Sequence, residues 1–165
     1  MTGSRRPDPP PRPARVLEPS ALIPHAGDAV LLDEIRDAGH DDRLSAMLLV
    51  RPGTAFSDPD GSLPGWIGAE ILAQVAAAFA TLRGNRPTEP AQVGLLLGVR
   101  NYRCTLDRFL PGMPLEAEIV EAMTDGLGLG VFDGTLKSAG EVVAEGILSV
   151  CRLDNPEAFL RGVRQ

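Results

Sequence analysis

Apolar positions along this chain change their period twice, and the changes divide it into elements. Over residues 63–83, Ile67, Ile71, Val75, Ala78, Phe79 and Leu82 recur at three- and four-residue steps, the signature of a helix. Alanine, the best helix former, fills most of the rest. Pro64 suits a first turn, where its missing N–H would be unpaired anyway, and Gly84 followed by Pro87 gives a stop. The flanking segments shift to strand character. The pattern predicts strands over 29–36 and 44–50 joined by the turn at 38–42. It predicts four more after the helix, over 93–103, 115–122, 127–136 and 141–150, the last two joined by Ser138-Ala-Gly140. In the 93–103 strand, Gly94 and Gly98 share one face, which marks close approach of another backbone or a ligand. One long helix and one antiparallel sheet bury each other's apolar faces only if the sheet wraps the helix, an α+β arrangement.

Two polar residues interrupt the helix. Glu70 and Gln74 lie four apart, one turn above the other on one face. Their neighbours Ala69, Ile71 and Ala73 are apolar. Two readings stay open: a buried carboxylate, which burial makes a better acid, or a residue on the wet side of the helix.

Composition narrows the picture. The chain has 165 residues, enough for one domain with a substantial core. Residues 1–19 hold six prolines among arginines and small residues, an expected disordered arm. The domain is expected over 20–153, with a tail at 154–165 that forms at most a short helix. The reading finds no apolar run of membrane-spanning length and no secretory signal, and so expects a cytoplasmic protein. Cys104 and Cys151 read as reduced, buried thiols. His25 and His40 are the only histidines, so no metal site is expected; His40, in a turn, is expected to be solvated. The net charge of −6 argues against non-specific nucleic-acid binding. Lys137 is the only lysine; arginines cluster at Arg100, Arg103 and Arg108, either as solvated strand-end charges or as a surface for an anionic partner.

Several stretches taken together point to a family. They are Ile23-Pro-His25, Leu31-Leu32-Asp33, Leu63-Pro-Gly-Trp-Ile-Gly-Ala-Glu-Ile-Leu-Ala-Gln74, Gly94-Leu-Leu-Leu-Gly-Val-Arg100, Pro111-Gly112 and Gly128-Leu-Gly-Val-Phe-Asp133. This combination resembles the hotdog-fold 3-hydroxyacyl-acyl-carrier-protein dehydratases, closest to the dehydratase-like proteins of aryl polyene clusters. The resemblance implies one central helix wrapped by a sheet of five to six strands, and a homodimer or heterodimer with another hotdog subunit. It implies no cofactor, because the substrate rides on the phosphopantetheine of an acyl carrier protein or on CoA. Glu70 matches the helix carboxylate that protonates the departing hydroxyl. Gly65 matches the glycine whose N–H faces the thioester carbonyl at a helix N-terminus, with Trp66 and Gln74 beside the substrate. Arg100, Arg103 and Arg108 would meet the carrier protein. The family's loop histidine is absent: that loop reads Thr54-Ala55-Phe56-Ser57-Asp58. His25 is the substitute base the sequence offers, with Asp58 and Asp60 as more remote candidates; a structural cap on the turn after Pro24 is the other reading of His25. Three activities remain: dehydration of 3-hydroxyacyl thioesters, a weakly active or non-catalytic subunit that binds acyl chains or supports a dehydratase partner, and thioester hydrolysis.

Overall fold

The computed structural model describes residues 15–83, 94–125 and 128–152. Helix α1, Gly68–Arg83, lies against a seven-stranded antiparallel sheet. The strands are β1 (Arg15–Leu17), β2 (Glu34–Asp37), β3 (Arg43–Leu49), β5 (Gly94–Cys104), β7 (Pro114–Thr124), β8 (Leu129–Ser138) and β9 (Glu141–Arg152). Their order is β1-β2-β3-β7-β8-β9-β5. A two-stranded patch pairs β4 (Leu63–Pro64) with β6 (Arg108–Phe109) at the start of the helix. The helix buries Ile71, Leu72, Val75, Ala76, Ala78 and Phe79 against Leu44, Leu115, Ile119, Leu136 and Leu148 of the sheet. Each large apolar side chain removed from water stabilises the fold by about 1.5–3 kcal/mol.

This is the sheet-wrapped helix that the pattern predicts, and the hotdog arrangement that the resemblance implies. The stretch Gly65–Arg83, 19 residues with mean hydropathy 1.4, is apolar enough by length and composition to cross a membrane, contrary to the sequence reading. Its apolar surface is spent on the sheet instead, since more than half of it is buried inside the fold.

Several boundaries differ from expectation. The arm assigned to residues 1–19 ends earlier: Arg15–Leu17 pairs with β2 and adds a seventh strand. The rest of the arm, the loop after the helix and the tail from 153 lie outside the described residues. The strand expected over 29–36 begins only at Glu34, because the Leu31 N–H bonds to the Gln74 side chain rather than to a neighbouring strand. Pro64 sits in β4, and a 3-10 turn, Gly65–Ile67, leads into the regular helix. The regular glycine face expected in β5 is broken by two register shifts, Leu96/Gly98 and Arg100/Arg103, with Asn101 at φ 54°. The β8–β9 turn is as expected: Ala139 and Gly140 both take positive φ, which a two-residue hairpin needs.

Strand β5 ends the sheet, and its outer edge has no partner strand among the described residues. Leu96 and Leu97 are exposed there. An open edge strand of eleven residues with exposed leucines is a template for a second sheet.

The far end of α1 is latched to β2. Arg83 donates to both carboxylate oxygens of Asp37, at 3.0 and 3.3 Å, and its guanidinium stacks on Phe79. The Arg83 hydrogen bond holds the Asp37 carboxyl below its usual value of 3.8. A depressed folded-state pKa gives stability that is present above the unfolded value and is lost as pH falls through the folded one. Wild-type stability should therefore drop between pH 4 and lower pH by more than that of Asp37→Asn, measured by urea unfolding across that window; parallel curves would remove the latch from the account.

Candidate functional site

The approach to the site begins where the chain enters α1. A side chain at Gly65 would collide with the Leu106 carbonyl oxygen and crowd Cys104 Sγ at 3.2 Å; one at Gly68 would collide with the Tyr102 hydroxyl. These two glycines let the turn sit directly on the segment from β5 to β6. Two hydrogen bonds seal it: Gly65 N–H to Asp107 O at 2.8 Å and Tyr102 O–H to Gly65 O at 2.6 Å. Burial pushes the Tyr102 phenol well up, so it remains a donor. The sequence assigned the Gly65 N–H to a thioester carbonyl. The structure corrects this, because Asp107 already consumes that donor.

One turn into the helix, Glu70 meets His25. The His25 Nε2 lies 3.2 Å from Glu70 Oε1, and the side chains are 30% and 27% exposed. Glu70 is thus neither sealed in the core nor fully wet. Gln74, fully buried, stands behind the pair. Its Nε2 donates to Glu70 Oε1 at 3.0 Å and to Ala29 O at 2.9 Å, and its Oε1 accepts from Leu31 N–H at 3.0 Å. All the hydrogen-bonding work of that amide is internal. It joins the helix to the 25–31 segment, and it leaves nothing to offer a substrate. His25 Nδ1 is buried with no hydrogen-bond partner among the described residues.

The pair opens into a cavity of about 480 Å³. Its floor is the helix face carrying Glu70, Ala73, Ala77 and Ala80; its roof is the ends of β5, β8 and β9, with Leu95, Gly130 and Val150. The sequence reading missed this groove. Its signal was the spacing of small residues, three, four and three apart, following Glu70 on one face.

The other candidates fall elsewhere. Trp66 is 66% exposed on the turn, four residues before Glu70, and does not line the groove. Arg108 is separated from Arg100 and Arg103: it donates to Asp58 at 2.6 Å and to Ser62 at 3.1 Å, with Asp60 at 3.8 Å. Its charge is answered within the chain, which ties down the loop before the helix. The same contacts remove Asp58 and Asp60 as bases; the Ser62 hydroxyl further holds the Asp60 carboxyl below its usual range. Arg100 and Arg103 stay exposed on β5. His40 is exposed as expected, and both cysteines are free and half-buried. In the loop that lacks the histidine, Ala55 N–H bonds to Asp28 O at 2.9 Å, which packs it against the segment that carries His25. Among the described residues no cluster of His, Cys, Asp or Glu could hold a metal ion.

The ApeP-like family, described as ApeP dehydratase, matches residues 17–161. The chain belongs to this family. No curated protein matches it. Among solved structures, a chain of the dehydratase heterocomplex ApeI:P from Xenorhabdus doucetiae is 26% identical, with a TM-score of 0.81, over 92% of this chain and 100% of that one. The PaaI protein of the E. coli phenylacetic acid degradation operon is 13% identical, with a TM-score of 0.53, over 76% and 80%. A hypothetical thioesterase from Streptococcus pneumoniae TIGR4, solved with coenzyme A, is 13% identical, with a TM-score of 0.52, over 69% and 80%. The last two show a shared fold and no more. In this ApeP-like dehydratase a carboxylate on the central helix, Glu70, meets His25 from the segment that precedes β2.

Two substitutions test this construction. Gly65→Ala should cost about 1–3 kcal/mol, because backbone on both sides must move. Gln74→Leu should cost a similar amount, since it leaves the buried Leu31 N–H without an acceptor. Thermal melts would report both; a Gly65→Ala protein with wild-type melting would show that the turn is not seated this way.

Proposed function

We propose that this ApeP-like dehydratase removes water from 3-hydroxyacyl thioesters carried on an acyl carrier protein, in polyene-type biosynthesis. The single observation that supports it most is the 3.2 Å pair of His25 and Glu70 at the head of an apolar groove. The C2 proton next to a thioester is weakly acidic, so the reaction needs a base, a stabiliser for enolate charge, and an acid for the leaving hydroxyl. In this reading the substrate displaces the contact between His25 and Glu70, and His25, neutral and with Nε2 unprotonated, takes the C2 proton there. Glu70 protonates the C3 hydroxyl, which leaves as water, and the C2–C3 double bond forms. Gln74 holds Oε1, which leaves Oε2 to carry the acid's proton. The carbonyl is taken by the N–H of Trp66, the next donor along the turn after the one that Asp107 consumes; first-turn amides carry partial positive charge suited to it.

The functional unit in this reading is a dimer with a second, unlike hotdog subunit, in the cytoplasm. Support comes from the open β5 edge and from similarity to a chain of a dehydratase heterocomplex. A second reading, in which this chain mainly supports an active partner, is favoured by one observation: the loop histidine is replaced by the Ala55–Phe56 stretch, which leans on Asp28. The experiment that separates them is a mixture of the chain, a hotdog partner and a 3-hydroxyacyl carrier protein, followed by mass spectrometry. Loss of one water that Glu70→Gln in this chain abolishes supports dehydration here, release of free carrier thiol indicates hydrolysis instead, and water loss that survives Glu70→Gln leaves this chain a supporting role.

Glu70→Gln keeps the shape and the hydrogen bonds but gives up no proton. Positioned proton transfer contributes roughly 10²–10⁴-fold in rate, so turnover should fall by that order with unchanged melting. Full activity in this variant would sink the mechanism.

Arg100 and Arg103 remain the carrier contacts of this proposal. Exchanging both for glutamate should slow turnover of carrier-bound substrate more than of pantetheine mimics, and the gap should close as salt rises. Equal losses on both substrates would show that these arginines do not read the carrier.

A further inference from the structure

Tyr102 is the only tyrosine in the chain, and three features of the fold make room for it. Between Arg100 and Arg103 the register of β5 on β9 shifts, which leaves Asn101 and Tyr102 against the single residue Gly146. Asn101 takes φ 54° there, a left-handed conformation uncommon outside glycine. A bulge of this kind re-aims the side chain beside it. The Tyr102 ring then lies over Gly146, where an added Cβ would stand 3.1 Å from Tyr102 Cδ2. Its hydroxyl ends against Gly68, where any side chain would collide with the oxygen. One bulge and two glycines, from β5, β9 and α1, are thus arranged around one phenol. That hydroxyl donates to Gly65 O at 2.6 Å. The same oxygen also accepts the Gly68 N–H, so both of its lone pairs are used. Gly68 by itself would satisfy the carbonyl; the phenol therefore does more than rescue an unpaired acceptor.

We propose that Tyr102 is a positioning residue: through its bond to the Gly65 oxygen it aims the Trp66 N–H and strengthens it as the donor to the thioester carbonyl. The proposal rests on the dehydratase reading. Gly65 C=O and Trp66 N–H belong to one planar trans peptide. Holding the oxygen therefore holds the hydrogen, which points the opposite way. The Trp66 side chain does not hold this peptide, because the indole is exposed. A hydrogen bond into the carbonyl also polarises the amide and makes the N–H at its other side a stronger donor. Tyr102 itself stays one peptide away from the substrate. Its contribution grows as enolate charge builds on the carbonyl oxygen, so it belongs in kcat rather than in KM.

The test uses the full chain with its hotdog partner and a 3-hydroxyacyl carrier protein. Tyr102→Phe keeps the ring in its slot and removes only the O–H. Its kcat should fall by about tenfold or more, short of the roughly 10²–10³ that loss of a whole donor costs, with KM within about twofold of wild type. Expression of this chain on 3-fluorotyrosine labels position 102 alone, since there is no other tyrosine. The fluorinated phenol is a stronger donor of nearly the same shape, so its effects should run opposite to those of Tyr102→Phe. A second readout needs no turnover: infrared difference spectra of a saturated acyl-pantetheine thioester carrying carbon-13 at the carbonyl. The C=O band should move to lower frequency on binding to wild type, lose most of that shift in Tyr102→Phe, and shift further with 3-fluorotyrosine. A band that does not move on binding to wild type overturns the proposal. So does a band that is the same in all three proteins, even where both altered proteins lose rate, as disturbed packing would make them do; dehydration by wild type can still be observed in either case. If the band follows the phenol but no protein releases water, Tyr102 keeps its place behind the carbonyl site and the dehydratase reading falls instead. Should Tyr102→Phe fail to fold, the 3-fluorotyrosine protein carries the test, and an unchanged band there overturns the proposal.

Discussion

The buried amide of Gln74 is the constraint on which the site depends. It is fully enclosed, so an unmatched hydrogen-bonding atom there would carry a desolvation penalty of about 1–3 kcal/mol. The protein satisfies it with the backbone of Ala29 and Leu31 and with Glu70. One side chain thereby fixes the path of the 25–31 segment and the orientation of the carboxylate. His25 arrives at Glu70 because that segment cannot join the sheet: its N–H at Leu31 is already taken. A strand beginning at Ala29 would have carried the histidine elsewhere.

The opposite end of the same helix face is built by close approach. Gly65 and Gly68 bring backbone against Leu106 and Tyr102 with no room for a side chain. The helix start is thus rigid, but its first donor is spent on Asp107. Rigidity at this end, the Gln74 staple about two turns further on, and the Arg83–Asp37 latch at the far end hold the helix at three points. Between them the helix lines the groove mostly with alanines, Phe79 being the one large side chain there, so the passage survives in a fold that otherwise fills its interior.

The free edge of β5 bears on the same argument. Arg108, which the sequence grouped with Arg100 and Arg103, is bound to the loop before the helix. Arg100 and Arg103 stay on the edge strand. One cluster in sequence becomes a structural tie and a surface, because a turn and β6 intervene and carry Arg108 to another part of the molecule.

The sequence by itself determined the helix, most of the strands and the family. Helix and strand periods are local properties, and the apolar residues of α1 and β7 wrote them plainly. It also singled out Glu70 and Gln74, because two polar residues on an apolar helix face are visible without any tertiary contact. Only the tertiary structure decided what they do. Glu70 meets His25 forty-five positions away in the chain, and Gln74 turned out to be consumed by backbone groups just as distant. The N–H of Gly65 was misassigned because its acceptor, Asp107, comes from a strand connection that no period encodes. The arm's end at Arg15–Leu17 was read as disorder because its prolines dominate composition, whereas pairing with β2 supplies order from outside the segment. The groove stayed hidden for the same reason: alanines read as helix formers until a sheet is placed over them, and only then does their smallness become a space.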